Sequence, residues 1–312
     1  MASPLTIVMY HYVRDFARTR YPGLKGLDVA GFRRQLDHLA STFRIVRMED
    51  LIAAARGDAE LPPDAALLTF DDGYSEHFDT VFPILHDRGL QGSFFPPVAP
   101  VRDGTLLDVN RVHFILASVA SSAPLAAAID EAVDEARGEH DVDTVSAYRA
   151  EWAHPNRFDD AETIYVKRML QTALPPVLRE QVARQLFERF VSVDESTFAA
   201  EQYLNRDQAR LMVDCGMYFG SHGKSHFWLN HVDTATRIDE IDGSLEFLAD
   251  LGMPVGDHWV MCYPFGGWDD ELVEILRARG CAVGLTTRVA TAQVGVDDPL
   301  TLPRYDTNDF PQ

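Results

Sequence analysis

The segment LLTFDDGYSEHF, residues 67–78, decides the fold class and raises the main question about function. The apolar run ALLTF reads as a buried strand, and Asp71, Asp72 and Gly73 follow it directly. In parallel α/β proteins, functional side chains gather where strands end and the loops to the next helix begin. Gly73 permits a tight turn that would hold both carboxylates at this edge. Taken alone, the Asp-Asp-Gly sequence is equally compatible with a turn followed by a helix cap.

Strand candidates alternate with helical stretches along most of the chain. LTIVMY precedes DVAGFRRQLDHLAS, in which Phe32, Leu36 and Leu39 fall at helical spacing after a cap at Asp28. The later strand candidates GSFF, MYFGS, HWVMCYP and CAVGLTT each follow a helical stretch. Repeated βα units with short connections predict an α/β fold with a mainly parallel sheet and its helices outside.

One long stretch, residues 106–202, breaks this alternation. It is rich in Ala, Glu, Asp and Arg, it is mostly helical in pattern, and no Gly/Ser linker flanks it. We therefore predict a single catalytic domain over residues 1–312, with a helical insertion at approximately 106–202.

Composition excludes several classes of function. The 312 residues carry 28 Lys+Arg against 48 Asp+Glu, and this net charge of -20 argues against a nucleic-acid partner. No segment approaches the roughly 18 to 20 uninterrupted apolar residues that span a bilayer, so no membrane span is expected. The amino-terminal segment lacks a basic region, and three widely spaced cysteines suggest no disulfide framework. A cytoplasmic location is therefore expected.

Two histidines follow another strand candidate. The stretch GMYFGSHGKSHFWLN, residues 216–230, carries His222 and His226 just after a short strand. If a helical turn begins at Ser221 or His222, the two imidazoles share one face and can converge on one ion. The alternative is two surface histidines with no joint role. Two imidazoles and one carboxylate make a divalent-metal site with positions open for water and substrate. The second aspartate of the pair would then be free to act as a base.

These residues carry a resemblance to a known family. TFDDG at 69–73 and SHGKSH at 221–226 resemble the first two signature motifs of the polysaccharide deacetylase superfamily, carbohydrate esterase family four. GSFFP at 92–96, CYPFGGWDD at 262–270, LTTR at 285–288 and LPRYD at 302–306 are similar to further segments of that family. The resemblance implies a distorted (β/α) barrel of the deacetylase type. It also implies a metal-dependent deacetylase. The expected substrate is an N-acetylated sugar, and the second choice is an O-acetylated sugar.

Carried over residue by residue, the resemblance makes Asp71 the general base and Asp72, His222 and His226 the metal ligands. Zn²⁺ is the expected ion because it matches these ligands and activates water without redox chemistry. Non-haem iron oxygenases use a similar ligand set. Their carboxylate usually sits close to the first histidine in sequence, whereas some 150 residues separate Asp72 from His222.

Two features of the family are missing. Cys262 stands where many members have an arginine that orients the base, and no Leu-x-His segment supplies a general-acid histidine near the carboxyl terminus. His11 is the predicted acid, because it follows the strand LTIVMY and because MYHYV resembles a Tyr-His-x-Val segment of members that lack the usual acid. The alternatives are that His11 merely packs against or caps the first strand, or that His113 is the acid.

The remaining candidates concern the substrate pocket. Tyr263, Pro264 and Phe265 are predicted to wall it, because an acetyl methyl needs an apolar slot and a sugar face packs on an aromatic edge. The alternative for these three residues is strand-end core. Arg304 is grouped with them as a substrate-side residue, and it is also a candidate to replace the missing motif arginine near Asp71. A salt bridge that closes the last strand is its alternative.

An acetylated carbohydrate is the expected partner. Trp228 and Trp268 lie near the motifs and are candidate sugar platforms. Two other functions stay open. One is a carbohydrate-binding protein on the same fold that has lost catalysis, which the missing arginine and Leu-x-His segment make conceivable. The other is a related metal-dependent amidohydrolase that acts on a non-sugar amide.

Overall fold

The structure, a computed structural model, divides the chain into two compact units and describes residues 3–156, 159–192 and 194–311. The first unit comprises Met1–Asp15, Gly26–Thr105 and Ala199–Gln312. The second unit comprises Phe16–Lys25 and Leu106–Phe198. Each unit is therefore assembled from segments that are distant in sequence.

The strands and helices have the following bounds. In chain order, the strands are β1 (Ser3–Tyr10), β2 (Val13–Arg14), β3 (Leu27–Asp28), β4 (Arg44–Ile45), β5 (Ala65–Asp71), β6 (Ser93–Phe95), β7 (Tyr218–Phe219), β8 (Trp259–Cys262), β9 (Cys281–Leu285), β10 (Ala292–Val294) and β11 (Tyr305–Asp306). The helices are α1 (Val29–Thr42), α2 (Met48–Arg56), α3 (Phe82–Asp87), α4 (Val98–Asp103), α5 (Asp108–Ala117), α6 (Ala123–Ala136), α7 (Val145–Trp152), α8 (Ala161–Arg168), α9 (Pro176–Phe190), α10 (Glu195–Gln202), α11 (Arg206–Asp214), α12 (Thr234–Asp250) and α13 (Asp270–Ala278). Within the described ranges, no helix is both long enough and apolar enough to cross a membrane.

A series of parallel pairings closes strands of the first unit into a ring. β1 pairs with β5, β5 with β6, and β6 with β7. Ser221, just after β7, forms a parallel bridge to Met261 in β8, and β8 pairs with β9. Leu285 at the end of β9 bridges to Leu302, and β11, which follows, pairs with β1. The predicted α/β class and the barrel-like fold are confirmed. Two junctions of the ring are single bridges.

Successive side chains of β1 and β5 alternate between the barrel interior and the layer beneath the helices. Leu5, Ile7, Ala65 and Leu67 share a cluster with residues of β8 and β9. Val8, Tyr10, Leu68 and Phe70 instead pack in a cluster with residues of α1. Because side chains alternate along a strand, Thr69 and Asp71 continue the register that faces the interior.

Local signals account for the predicted helices. The carboxylate of Asp28 accepts a hydrogen bond from the N–H of Ala30 at 2.8 Å, so it caps α1 as the sequence predicts. Phe32, Leu36 and Leu39 form the buried face of that helix. α11 likewise begins at a capping box, in which Asn205 and Gln208 exchange hydrogen bonds. These local signals determine where α1 and α11 begin.

The second unit is built from helices α5 to α9 together with Phe16–Lys25. The ring of Tyr21 packs against Phe114 with 5.1 Å between centroids, and Lys25 donates to Asp159 at 2.9 Å. The guanidinium of Arg149 binds both Asp130 and Glu162 in the same unit. The sequence pattern gave no sign that Phe16–Lys25 lies with these helices.

Candidate metal and catalytic site

Three donor side chains from two strand ends meet at the carboxyl end of the barrel. Asp72 follows β5, and His222 and His226 follow β7. Oδ1 of Asp72 lies 3.5 Å from Nε2 of His222 and 3.3 Å from Nε2 of His226. All three side chains are buried. The structure thus brings together the three residues predicted to bind a metal.

The segment from His222 to His226 is a loop, not the helical turn considered from its spacing. Gly223 and His226 have φ of +72° and +59°, which lie in the left-handed region and exclude a right-handed turn. The carboxylate of Glu240 accepts hydrogen bonds from the N–H groups of Lys224 and Ser225 at 2.9 and 2.8 Å. A buried carboxylate on α12 therefore holds the loop, and the loop turns both imidazoles toward Asp72.

The donor set fits a divalent cation. Oδ1 of Asp72 is buried and has no hydrogen-bond partner among the described residues, a costly state that a cation would relieve. Nδ1 of His222 lies 2.6 Å from the carbonyl oxygen of Cys262. Donation from Nδ1 to that carbonyl leaves the Nε2 lone pair directed at the site. Two imidazoles and one carboxylate match Zn²⁺ with an open position.

Asp71 is held by a fully buried arginine. Nη1 of Arg304 donates to Oδ1 of Asp71 at 2.9 Å, and Nη2 donates to Oδ2 at 2.8 Å. The Arg304 guanidinium is fixed further by the carbonyl of Thr286 and the hydroxyl of Thr69. Burial by itself raises the pKa of Asp71, but the charge and hydrogen bonds of Arg304 outweigh burial and lower that pKa to about 2. Asp71 is therefore ionised at neutral pH.

The same contacts correct the grouping of Arg304 with substrate-side residues. Its side chain is 0% exposed, because the guanidinium points into the barrel toward Asp71. Arg304 therefore orients the carboxylate and does not face a substrate. The Arg304 guanidinium also lies close enough to the Cys262 thiol to interact with it electrostatically, and Cys262 is the position where the resemblance would place an arginine.

We expect Arg304→Met to lower the free energy of unfolding by about 3–5 kcal/mol at neutral pH, because it leaves the Asp71 charge buried and unpaired. Without Arg304, burial raises the folded-state pKa of Asp71 above its unfolded value. The difference in the free energy of unfolding between the parent and Arg304→Met should therefore become smaller as the pH falls and the Asp71 carboxyl becomes neutral. The parent shows the opposite trend. Its Asp71–Arg304 pair stabilises the fold at neutral pH, and this contribution is lost as the pH falls toward the Asp71 pKa of about 2. Urea unfolding of the metal-free proteins from neutral to acidic pH measures both slopes.

The control for this change is Arg279→Met, since Arg279 pairs with Asp242 at the protein surface. A partly exposed surface pair of this kind contributes about 1 kcal/mol or less. The double variant Asp71→Asn/Arg304→Met should recover much of the loss, because neither buried charge then remains. A deficit for Arg304→Met that does not change with pH would contradict the pairing as the cause.

His11 follows β1 and lies beside Asp71. Its Nε2 is 4.0 Å from Oδ2 of Asp71, and its side chain is 40% exposed. Nε2 of His77, a fully buried residue, lies 2.9 Å from the backbone oxygen of His11 and fixes this strand end. The structure therefore makes the side chains of His11 and Asp71 neighbours. The other candidate, His113, lies on α5 in the second unit.

The three residues predicted to wall the pocket have different environments. Tyr263 is 0% exposed, and its hydroxyl donates to the carbonyl of Leu300 at 2.8 Å, so it belongs to the core. Pro264 is also buried. Phe265 is 42% exposed and has φ of +57°, a conformation that costs energy for a residue with a side chain. Only Phe265 presents its ring to solvent, so the prediction of a wall made by all three is wrong.

Phe265 belongs to a group of exposed rings, here named the aromatic rim and formed by Phe227, Trp228, Phe265 and Trp268. These side chains are 40–44% exposed. The ring of Phe265 lies 4.6 Å from that of His226 and stacks on Trp228 at 5.1 Å. A Cβ at Gly267 would lie 2.2 Å from the Trp228 ring, so glycine is needed there. The rim therefore borders His226, one of the three donor residues.

Sequence reasoning missed three residues that support the site. Tyr74 donates to Asp72, Glu240 holds the histidine loop, and His77 holds the His11 backbone. Tyr74 follows Asp-Asp-Gly directly and could have been noticed for that reason. Glu240 and His77 lie on helical segments, where a polar residue predicts exposure more readily than a buried contact.

Comparisons with known proteins agree with the fold and, in sequence, with the segment that contains the histidine motif. The family profile for polysaccharide deacetylase matches residues 158–284, which include His222 and His226 but not Asp71 and Asp72. Among solved structures, the chain is similar to the Streptococcus pyogenes deacetylase PplD in complex with acetate, at 14% identity and a TM-score of 0.57, covering 98% of this chain and 93% of that one.

Two further structures show the same likeness. IcaB from Ammonifex degensii is 16% identical with a TM-score of 0.55, over 97% of this chain and 92% of that one. The BpsB deacetylase domain from Bordetella bronchiseptica is 14% identical with a TM-score of 0.55, over 97% of this chain and 95% of that one. At these identities the likeness concerns the fold. No curated protein matches the sequence.

Proposed function

Because the chain resembles the polysaccharide deacetylases, in sequence over residues 158–284 and in fold over nearly its whole length, we propose that it is a metal-dependent hydrolase that removes acetyl groups from an N-acetylated carbohydrate. The family profile supports the resemblance over residues 158–284, and the similar structures support it for the fold. One observation carries the finer proposal: an ionised carboxylate, Asp71, adjoins the three donors Asp72, His222 and His226 in the same strand-end cluster.

The residues divide the reaction between them. A divalent cation held by Asp72, His222 and His226 would lower the pKa of a water and polarise the acetyl carbonyl. Asp71 accepts the proton of the attacking water, and Arg304 keeps its carboxylate in place. A carboxylate with a pKa of about 2 is a weak base, so the transfer depends on a water that has already been made acidic.

His11 is the residue we propose as proton donor to the leaving nitrogen. Its side chain is partly exposed at the site, whereas Arg304 and Tyr263 are enclosed and cannot reach a substrate. An amine leaves only when its nitrogen gains a proton. Nε2 of His11 lies 4.0 Å from Oδ2 of Asp71. Asp71 can therefore accept the proton of the attacking water while His11, on the same side of the site, donates a proton to the leaving nitrogen.

The aromatic rim supports a carbohydrate as the substrate. Exposed rings beside a polar cluster offer apolar area to a sugar face while the polar edge remains free for hydroxyl groups. The identity of the ion as Zn²⁺, the preference for an N-acetyl over an O-acetyl group, and a cytoplasmic lipid- or nucleotide-linked precursor as the substrate are parts of this proposal.

Acetate release tests the proposed function. The chelator-treated protein should release no acetate from a panel of N- and O-acetylated sugars, and added Zn²⁺ should restore release. A protein that binds the sugars but releases no acetate with any divalent ion would instead be a binding protein on this fold. Release from simple acetamides but not from sugars would indicate a non-sugar amidohydrolase.

We expect His11→Gln to lose most of its turnover on an acetamido sugar and to lose much less on an activated acetyl ester. An activated ester has a leaving group that needs no proton, so it bypasses the donor, and the amide-specific loss should be about 10²- to 10⁴-fold. Rates on both substrates, with metal content measured on the same samples, give the ratio. His258→Gln, at an exposed histidine paired with Asp257, is the matched control. Equal losses on amide and ester would exclude His11 as the donor.

A further inference from the structure

The hydroxyl of Tyr74 is fixed against one oxygen of Asp72. It donates to Oδ2 of Asp72 at 2.6 Å, a short bond typical of donation to a charged oxygen. The ring of Tyr74 stacks on Tyr12 with 4.0 Å between centroids and lies parallel to Tyr203 at 6.1 Å. Tyr74 is 1% exposed. Its ring therefore has little freedom to move, and its hydroxyl does not face a substrate.

The backbone at Asp72 is also held in place. Asp72 has φ of +72°, and its N–H donates to the carbonyl of Phe95 at 3.1 Å. Gly73 follows with φ of +68°, and a Cβ there would lie 2.5 Å from Pro96. With the backbone held, rotation of the carboxylate decides which of its oxygens faces the histidines.

We propose that Tyr74 is a positioning residue that makes Asp72 a one-oxygen ligand. Its hydroxyl donates to Oδ2 and leaves Oδ1 beside the Nε2 atoms of His222 and His226. Among the residues that the structure describes, Oδ1 has no hydrogen-bond partner. Without the hydroxyl, the carboxylate can rotate or offer both oxygens, and a site with three protein donors and an open position is lost. The inference rests on the proposed metal site and not on the identity of the substrate.

Tyr74→Phe tests the inference because it keeps the ring and removes the hydroxyl. We expect the variant to bind Zn²⁺ about 10- to 100-fold more weakly, measured without substrate by competition with a chromophoric chelator. Tyr165→Phe is the matched control, since the buried Tyr165 in the second unit also donates its hydroxyl to a carboxylate, that of Asp130, at 2.8 Å. The control should bind Zn²⁺ with the affinity of the parent.

A double-variant cycle separates positioning from general loss of structure. Removing the hydroxyl in an Asp72→Asn background should weaken Zn²⁺ binding much less than in the parent, because the hydroxyl acts through Asp72. A Zn²⁺ affinity of Tyr74→Phe within about twofold of the control, or an equal loss in both backgrounds, would overturn the proposal.

X-ray absorption of the Zn²⁺-loaded parent gives a test that does not depend on how any variant folds. It should show the carboxylate bound through one oxygen, and binding through both oxygens would overturn the proposal. Failure of the proposed function would appear differently, as a parent protein that binds Zn²⁺ with the expected coordination but releases no acetate from any substrate.

Discussion

Asp71→Asn is expected to keep its metal and to lower turnover on an acetylated sugar by about 10²- to 10⁴-fold, the range typical of losing a general base. The asparagine has nearly the shape of the aspartate, and its side-chain oxygen can still accept one of the two hydrogen bonds from Arg304. It cannot accept a proton from water at neutral pH. Steady-state rates at saturating Zn²⁺, with metal content determined on the same samples, provide the measurement.

The adjacent aspartate provides the comparison for this change. Asp72→Asn should lose affinity for metal, whereas Asp71→Asn should not, although the two residues are neighbours in sequence and both are buried. Loss of metal from Asp71→Asn with retention by Asp72→Asn would mean that the two roles are exchanged. Because Asp71→Asn leaves the Arg304 charge without its counter-ion, thermal unfolding of the variant must be recorded alongside its rates.

His226→Ala is expected to leave a folded protein that retains no stoichiometric metal after dialysis and therefore releases no acetate. In the predicted ligand group of Asp72, His222 and His226, removing His226 leaves only two donors. The backbone at His226 is left-handed, which histidine tolerates better than alanine, but the carboxylate of Glu240 still holds the preceding loop residues. Elemental analysis after dialysis gives the metal-to-protein ratio.

His231→Ala is the control for the loss of a histidine from the same segment. His231 stacks on Trp228 at 4.7 Å and is not one of the three donors. It should retain metal as the parent does. A full equivalent of metal on dialysed His226→Ala would remove that residue from the ligand set. The alternative group of Asp71, His222 and Cys262, whose donor atoms also lie within 4.8 Å of one another, would then be the one to test.

Much of the barrel could be predicted because its signals are local. The apolar runs of β1 and β5, the cap at Asp28 and the helical spacing of Phe32, Leu36 and Leu39 depend only on neighbours in sequence. The motif residues could be placed at strand ends for the same reason. The packing of Phe16–Lys25 within the second unit could not be predicted, because the residues that it contacts, such as Phe114 and Asp159, are far away in sequence.

The sequence by itself determined that Asp71 and Asp72 end a buried strand and that His222 and His226 follow another one. Only the tertiary structure decided how they meet. Strand register brings Arg304 to Asp71 across 233 positions and directs the Tyr263 ring into the core. A loop held by Glu240, where a helical turn was expected, aims both imidazoles at Asp72. Periodicity specifies which face a side chain takes within its own element, but the pairing of strands and the loops between them decide which side chains meet there.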